Sequence, residues 1–168
     1  MKRYCFDTSG ITSTLHTVPE DIHSTLWTRI ASIVEAGEIA VTTEIYDELH
    51  GTIRSPIGNV IDSDRTRLVL EVGHGSWNQA AYILGAPRII KKYQAFISEH
   101  MPKRPDNTVG LNDMSIIALA KATRLPLVSM ESSAGNSPKY KRIPDICALE
   151  QIDHLDFNAF LRRESIKI

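Results

Sequence analysis

Asp7, Glu48, Asp113 and Glu131 are far apart in the sequence, yet each stands at a comparable place in the local pattern. Asp7 closes the short apolar run Tyr-Cys-Phe. Glu48 lies on a helical stretch just after the apolar run Ile39-Ala40-Val41. Asp113 opens a helix that leads into the run Leu125–Met130, and Glu131 lies where that run ends. If those runs are strands of a parallel α/β sheet, their carboxyl ends and the adjoining helix starts share one edge, where such folds bind ligands. Four carboxylates gathered there repel one another unless they share protons or a cation. Mg²⁺ and Mn²⁺ favour carboxylate and water oxygens, and a pair of such ions can activate water against a phosphodiester. The expected chemistry is therefore metal-dependent phosphodiester hydrolysis.

Each acid has a plainer reading. Asp7 could cap a turn, and Asp113 could do no more than stabilise a helix N-terminus. Glu44 and Glu48 are one helical turn apart on the same face, so either could be the ligand. Glu131 could be a surface residue, Asp47 a solvated neighbour, and Asp145, after Pro144, the cap of a following helix. Ser9 and Ser129 are placed to orient carboxylates. The six His are scattered without HxH or HExxH spacing; His50 is near Glu48 but reads as an exposed helix-end residue. Arg65, Arg67, Lys91, Lys92, Lys103 and Arg104 are candidate phosphate contacts.

The elements that must position these acids are short. Arg3–Asp7, Ile39–Val41 and Leu125–Met130 read as strands. Apolar residues Ile22, Leu26, Ile30, Ile33 and Val34 recur at helical spacing, so a core-facing helix is expected over Asp21–Ala36, stopped by Gly37. Thr42 or Thr43 should cap a helix through Leu49, ended at Gly51. Gly10–Asp21 reads as a loop, and Thr52–Gln79 as a polar loop with a short helix. A helix over Ala80–Met101 is expected to break near Gly85-Ala86-Pro87, and Pro102–Gly110 to be a polar connection. Asn112 should cap an apolar helix over Asp113–Thr123 that packs centrally. Ile143–Leu149 reads as a strand leading into a helix, and Asp156–Arg163 as a last short helix. Strands alternating with helices predict an α/β fold with a parallel sheet between helical layers.

With 168 residues, one domain over 1–168 is expected. The hydrophobic share of 42% and charged share of 23% are those of a globular protein. A net charge of -1 supplies no global field for nucleic acid, so a local basic patch would be required. Cys5 and Cys147 sit in apolar runs and read as buried, reduced thiols. The opening MKRYCFDTSG contains no apolar signal region and no run approaches a membrane span, so a cytoplasmic protein without a membrane partner is expected. A haloacid-dehalogenase phosphatase would need an acid where Ser9 stands. Asp-Thr-Ser-Gly breaks the aspartic-protease loop, and neither GxGxxG nor a Walker A motif is present.

Three blocks resemble the PIN-domain nucleases. FDTSG resembles their opening, VTTEIYDELHG their second block with its Glu before Leu, and NDMSIIALAKATRLPLVSME their third. The resemblance covers Arg3–Glu131, and KRIPDIC resembles the tail of an uncharacterised PIN-like branch related to VapC-type toxins. It implies a PIN-like fold and assigns the metal acids to Asp7, Glu48 rather than Glu44, Asp113 and Glu131, with Ser129 as the hydroxyl of the third block. The fourth acid is often Asp in that family, and Thr52–Pro102 matches none of its blocks. The resemblance implies an endoribonuclease using Mg²⁺ or Mn²⁺ on RNA. By analogy with VapC-type toxins it further implies the toxin of a toxin–antitoxin system, a protein antitoxin and a homodimer. The rival from another class is a PIN-fold binding or regulatory protein with a weak acidic site.

Overall fold

The computed structural model describes residues 1–100 and 108–166. Four short strands, β1 (Tyr4–Phe6), β2 (Ile39–Ala40), β3 (Leu127–Val128) and β4 (His154–Leu155), form one parallel sheet in the order β2-β1-β3-β4. Cys5 pairs with Ala40 on one side and Leu127 on the other, and Val128 pairs with Leu155. Strands β1, β2 and β3 are buried on both faces, which explains why they read as unbroken apolar runs, whereas His154 of β4 is partly exposed. Tyr4 and Phe6 point to one face, each meeting the edge of Phe160 at 5.0 and 5.1 Å. Cys5 points to the other, toward Thr123.

Eight α-helices surround the sheet among the described residues: α1 (Thr8–Thr17), α2 (Ser24–Glu35), α3 (Thr43–Leu49), α4 (Pro56–Ser63), α5 (Gln79–Tyr93), α6 (Leu111–Thr123), α7 (Ile143–Glu150) and α8 (Phe157–Arg163). This is an α/β PIN-like fold, a short-stranded parallel sheet between helices. Helix α6 packs against α5, α7 and α3 and carries seven buried residues, as its nearly continuous apolar sequence requires. Gly37 and Gly51, at φ 69° and 68°, end α2 and α3 in the left-handed region that glycine enters without strain.

Several expectations need correction. Gly10–Asp21 is largely helix rather than loop. Asp7 caps α1, Ile11 and Thr14 face the core, and hydroxyls of Thr12 and Thr14 bond back to the carbonyls of Thr8 and Gly10 (3.0 and 2.9 Å). Its first turn can approach the sheet because Gly10 carries no Cβ, which would stand only 3.0 Å from Val128 O. Ile22 precedes α2 and is exposed. Helix α5 runs through Gly85-Ala86-Pro87 without a break, on a stretch where Leu84, Pro87 and Arg88 are exposed. Helix α6 starts at Leu111, so Gly110 is its cap and Asn112 lies inside its first turn. Ile143–Leu149 is helical from its first residue, with Pro144 in the first turn. Strand β4 was not anticipated. Pro102–Gly110 lies mostly outside the described residues, as do Lys103 and Arg104. Among the described residues, no helix is long and apolar enough to cross a membrane.

Candidate functional site

The carboxyl edge of the sheet brings the four acids together. Asp7 follows β1 directly, and its amide bonds Val128 O at 3.0 Å, locking it beside the end of β3. The Ser9 amide and hydroxyl both donate to Asp7 Oδ2 (3.0 and 2.6 Å), while Ser9 Oγ accepts from the Met130 amide (3.0 Å). Ser9 therefore fixes Asp7 and ties it to the segment entering Glu131. Glu48 projects from the last turn of α3; its Oε2 accepts from the Thr8 hydroxyl and its Oε1 from the Asn112 amide (2.6 Å). Asp113 is in the first turn of α6, which runs antiparallel to the strands and so begins at their carboxyl edge. Its Oδ2 accepts from the Gly110 amide at 2.6 Å. Glu131 Oε2 accepts from the Ile143 amide, at 2.9 Å, at the start of α7.

The acids act on one another's protons. Burial, with the nearby charges of Asp7, Glu131 and Glu48, pushes Asp113 up to about 7 despite its bond from Gly110. Asp7, only 4% exposed, is also held above the usual carboxylate range by burial, with Glu48 adding repulsion against the Ser9 hydrogen bonds. Glu131 is raised by burial and by Asp7, with Arg142 acting in the opposite direction. Neutral or shared-proton carboxyls are the expected response to crowded, desolvated acids.

In this arrangement the acids are turned to protein donors, and among the described residues no group of three or more His, Cys, Asp and Glu is gathered tightly enough to hold a metal ion. The donor chemistry nevertheless fits a hard divalent cation. All four groups are carboxylates, and three of them carry a proton affinity that a bound cation would suppress.

Glu44 does not join the cluster. It is exposed on another part of α3, lining a cavity of about 410 Å³ with Leu70, Glu71 and Tyr82. Ser129 is fully buried, and its hydroxyl pairs with His154 Nε2 at 2.8 Å. Asp145 is tied to the Ser133 hydroxyl and to the amides of Ala134 and Arg142 (2.9 and 2.8 Å). Burial alone would raise it, but those hydrogen bonds hold it below the usual range. His50 stacks on Tyr46 and bonds Asp62 at 3.0 Å, away from the acids. Arg65 pairs with Glu71, Arg67 with Asp64 and Lys92 with Glu150 (2.5, 3.1 and 2.6 Å), so these candidate phosphate contacts are already engaged. Cys5 and Cys147 are free, buried thiols, each pushed up to about 12 by burial.

Sequence reasoning missed Thr8, Asn112 and Gly110 as the groups that hold Glu48 and Asp113. The signal for Asn112 was ambiguous because Asn before an apolar helix reads first as a cap.

The fold is PIN-like: a β2-β1-β3-β4 parallel sheet among helices, with acids along its carboxyl edge. Over residues 4–168 the sequence matches the family described as "Domain of unknown function (DUF4411)", and the chain belongs to that family. Among solved structures it is similar to one described as DNA-bound VapBC from Salmonella typhimurium, at 18% identity and a TM-score of 0.50, over 94% of this chain and 99% of that one. At that identity the likeness is one of fold, and fold does not by itself fix activity. No curated protein matches the chain.

Proposed function

We propose that the chain is a metal-dependent endoribonuclease. The observation that carries this reading is the crowding of Asp7, Glu48, Asp113 and Glu131 at the carboxyl edge, with Asp113 pushed to about 7 by burial and by the other three. Such a cluster is costly to maintain and has a direct use in holding Mg²⁺ or Mn²⁺. When bound, the cation supplies an activated water and charge neutralisation for in-line attack on a phosphodiester. In this reading Asp7 and Asp113 are the central ligands. Ser9 orients Asp7, Asn112 and Thr8 hold Glu48 on the same edge, and Ile143 fixes the reach of Glu131. The VapC-like fold further supports a cytoplasmic toxin that acts on RNA, is restrained by a protein antitoxin and forms a homodimer.

The test is cleavage of RNA with Mn²⁺ or Mg²⁺ by the wild type, Asp7→Asn and Asp113→Asn. Each variant is expected to lose activity by roughly 100-fold or more. Equal cleavage by all three would remove the acids from the chemistry. Calorimetric Mn²⁺ titration separates the rival class: metal binding lost in the double Asn variant but no cleavage by the wild type would identify a PIN-fold binding protein instead.

A further inference from the structure

We infer that the segment Ser137–Arg142 is the platform on which a single-stranded polynucleotide lies as it enters the acidic site, with Tyr140 stacking a base and Lys139 and Arg142 meeting phosphates. The inference rests on the nuclease reading for the direction of the strand, but its binding step is independent of cleavage.

The segment reads Ser-Pro-Lys-Tyr-Lys-Arg, and it leads directly into the Ile143 amide that bonds Glu131. Three cations in four residues therefore stand next to the acidic site of a chain whose net charge is -1. Their side chains leave charge to spare: Lys139 Nζ makes no hydrogen bond among the described residues, and Lys141 and Arg142 donate only to backbone carbonyls. Arg65, Arg67, Lys92, Lys121 and Arg163 are each paired with a carboxylate, whereas among the described residues no carboxylate forms a salt bridge with Lys139, Lys141 or Arg142. The Arg142 charge already reaches Glu131, so the patch and the acids are neighbours.

The segment is also built rather than loose. Ser137 Oγ accepts from the amides of Lys139 and Tyr140 (3.3 and 3.2 Å), and Lys141 Nζ donates to Ser137 O (2.9 Å). The Lys141 ammonium also stands 5.9 Å from the Phe96 ring centroid, and its carbonyl accepts from the Val109 amide (3.1 Å). Arg142 donates to Ser132 O (3.2 Å). These bonds fix the backbone while Lys139 and Tyr140 stay exposed, Tyr140 at 38%. No ring contact engages Tyr140 among the described residues. An exposed aromatic between cations, on a fixed backbone, is the arrangement that binds unstacked bases and their phosphates.

The chemistry is common to RNA and single-stranded DNA, so the experiment uses both. Fluorescence anisotropy is read for a labelled mixed-sequence RNA oligomer, its DNA counterpart and an RNA duplex, with the full chain in EDTA so that nothing is cut. The wild type is expected to bind the single strands more tightly than the duplex. Tyr140→Ala should weaken single-strand binding roughly 10-fold, and Lys139→Ala should lower the salt slope by about 0.7. Arg162→Ala, on the last turn of α8, should change neither. Both tested side chains are exposed, and unchanged thermal unfolding confirms that each variant folds. Single-strand affinity unchanged in the Lys139→Ala, Tyr140→Ala double variant overturns the inference, as does equal or tighter binding of the duplex or no binding by the wild type. Single-strand binding as expected by a wild type that cleaves no RNA counts against the nuclease reading alone, so the two failures are distinguishable.

Discussion

Asp113 carries a conflict that can be measured without any substrate. Its carboxyl is raised from 3.8 to about 7 in the folded chain, first by burial and then by Asp7, Glu131 and Glu48, while the Gly110 amide works in the other direction. A group whose folded pKa is raised binds its proton more tightly in the native state. Its favourable contribution is complete below 3.8 and is lost as the pH climbs through about 7. Metal-free protein should therefore unfold more readily at about pH 8 than at about pH 6, by roughly 1 kcal/mol from Asp113, with Asp7 and Glu131 raised in the same direction. Asn at position 113 keeps an oxygen for the Gly110 amide but cannot ionise. Asp113→Asn should flatten this slope and raise the melting temperature at about pH 8, as followed by circular dichroism. A wild-type slope that Asp113→Asn leaves unchanged would show that Asp113 is not the group under strain. Legibility at this scale was uneven. Strand-end and helix-start positions pointed to Asp7 and Asp113, but the partner that turns Glu48 toward them is Asn112, whose side chain meets it across 64 residues of sequence. No local pattern encodes that meeting.

At the scale of elements, strands β1, β2 and β3 and the helices α2, α3, α6 and α8 were legible because apolar spacing, caps and glycine stops agreed. The failures have a common cause. Thr, Ser and Gly made the stretch after Asp7 read as a loop, yet these residues are what let α1 form where it does. Its hydroxyls bond within the helix, and Gly10 allows the backbone to close on Val128. Tertiary contact overrode propensity there. Strand β4 has two residues, too few for any periodicity, and exists because Leu127 and Val128 offer it a partner. Pro87 is the clearest case: it was expected to break α5, but the helix accommodates it in a solvent-facing stretch. The accommodation has a cost, since a proline in a helix interior is about 3 kcal/mol worse than alanine, offset by about 0.4–1 kcal/mol from a stiffer unfolded chain. Pro87→Ala should therefore stabilise the protein by roughly 1–3 kcal/mol, read as a higher urea midpoint at unchanged slope. A lower midpoint would mean that Pro87 makes contacts that its exposure conceals.

For the whole molecule, the proposed metal site would couple cation binding to folding, because its four acids are neighbours only when β1, α3, α6 and the end of β3 are assembled. An unfolded chain spreads them from position 7 to position 131 and has no comparable site. A ligand that binds only the native state stabilises it in proportion to the logarithm of its concentration. At free Mn²⁺ roughly 100 times its Kd the gain is about 2.7 kcal/mol, which for a chain of this length is a rise in melting temperature of roughly 5–10 °C. If the chain folds as one unit, as its shared core proposes, the rise should appear in one cooperative transition rather than in part of it. The increment should also depend on pH. Near pH 6 Asp113 is largely protonated, and the cation must displace that proton, whereas near pH 8 it need not. The Mn²⁺-induced shift should therefore be larger at the higher pH, where the metal-free chain is weakest, and should vanish in the Asp7→Asn, Asp113→Asn double variant. Differential scanning calorimetry with and without Mn²⁺ at the two pH values provides the measurement. A shift that survives in the double variant would place the cation somewhere other than this edge of the sheet.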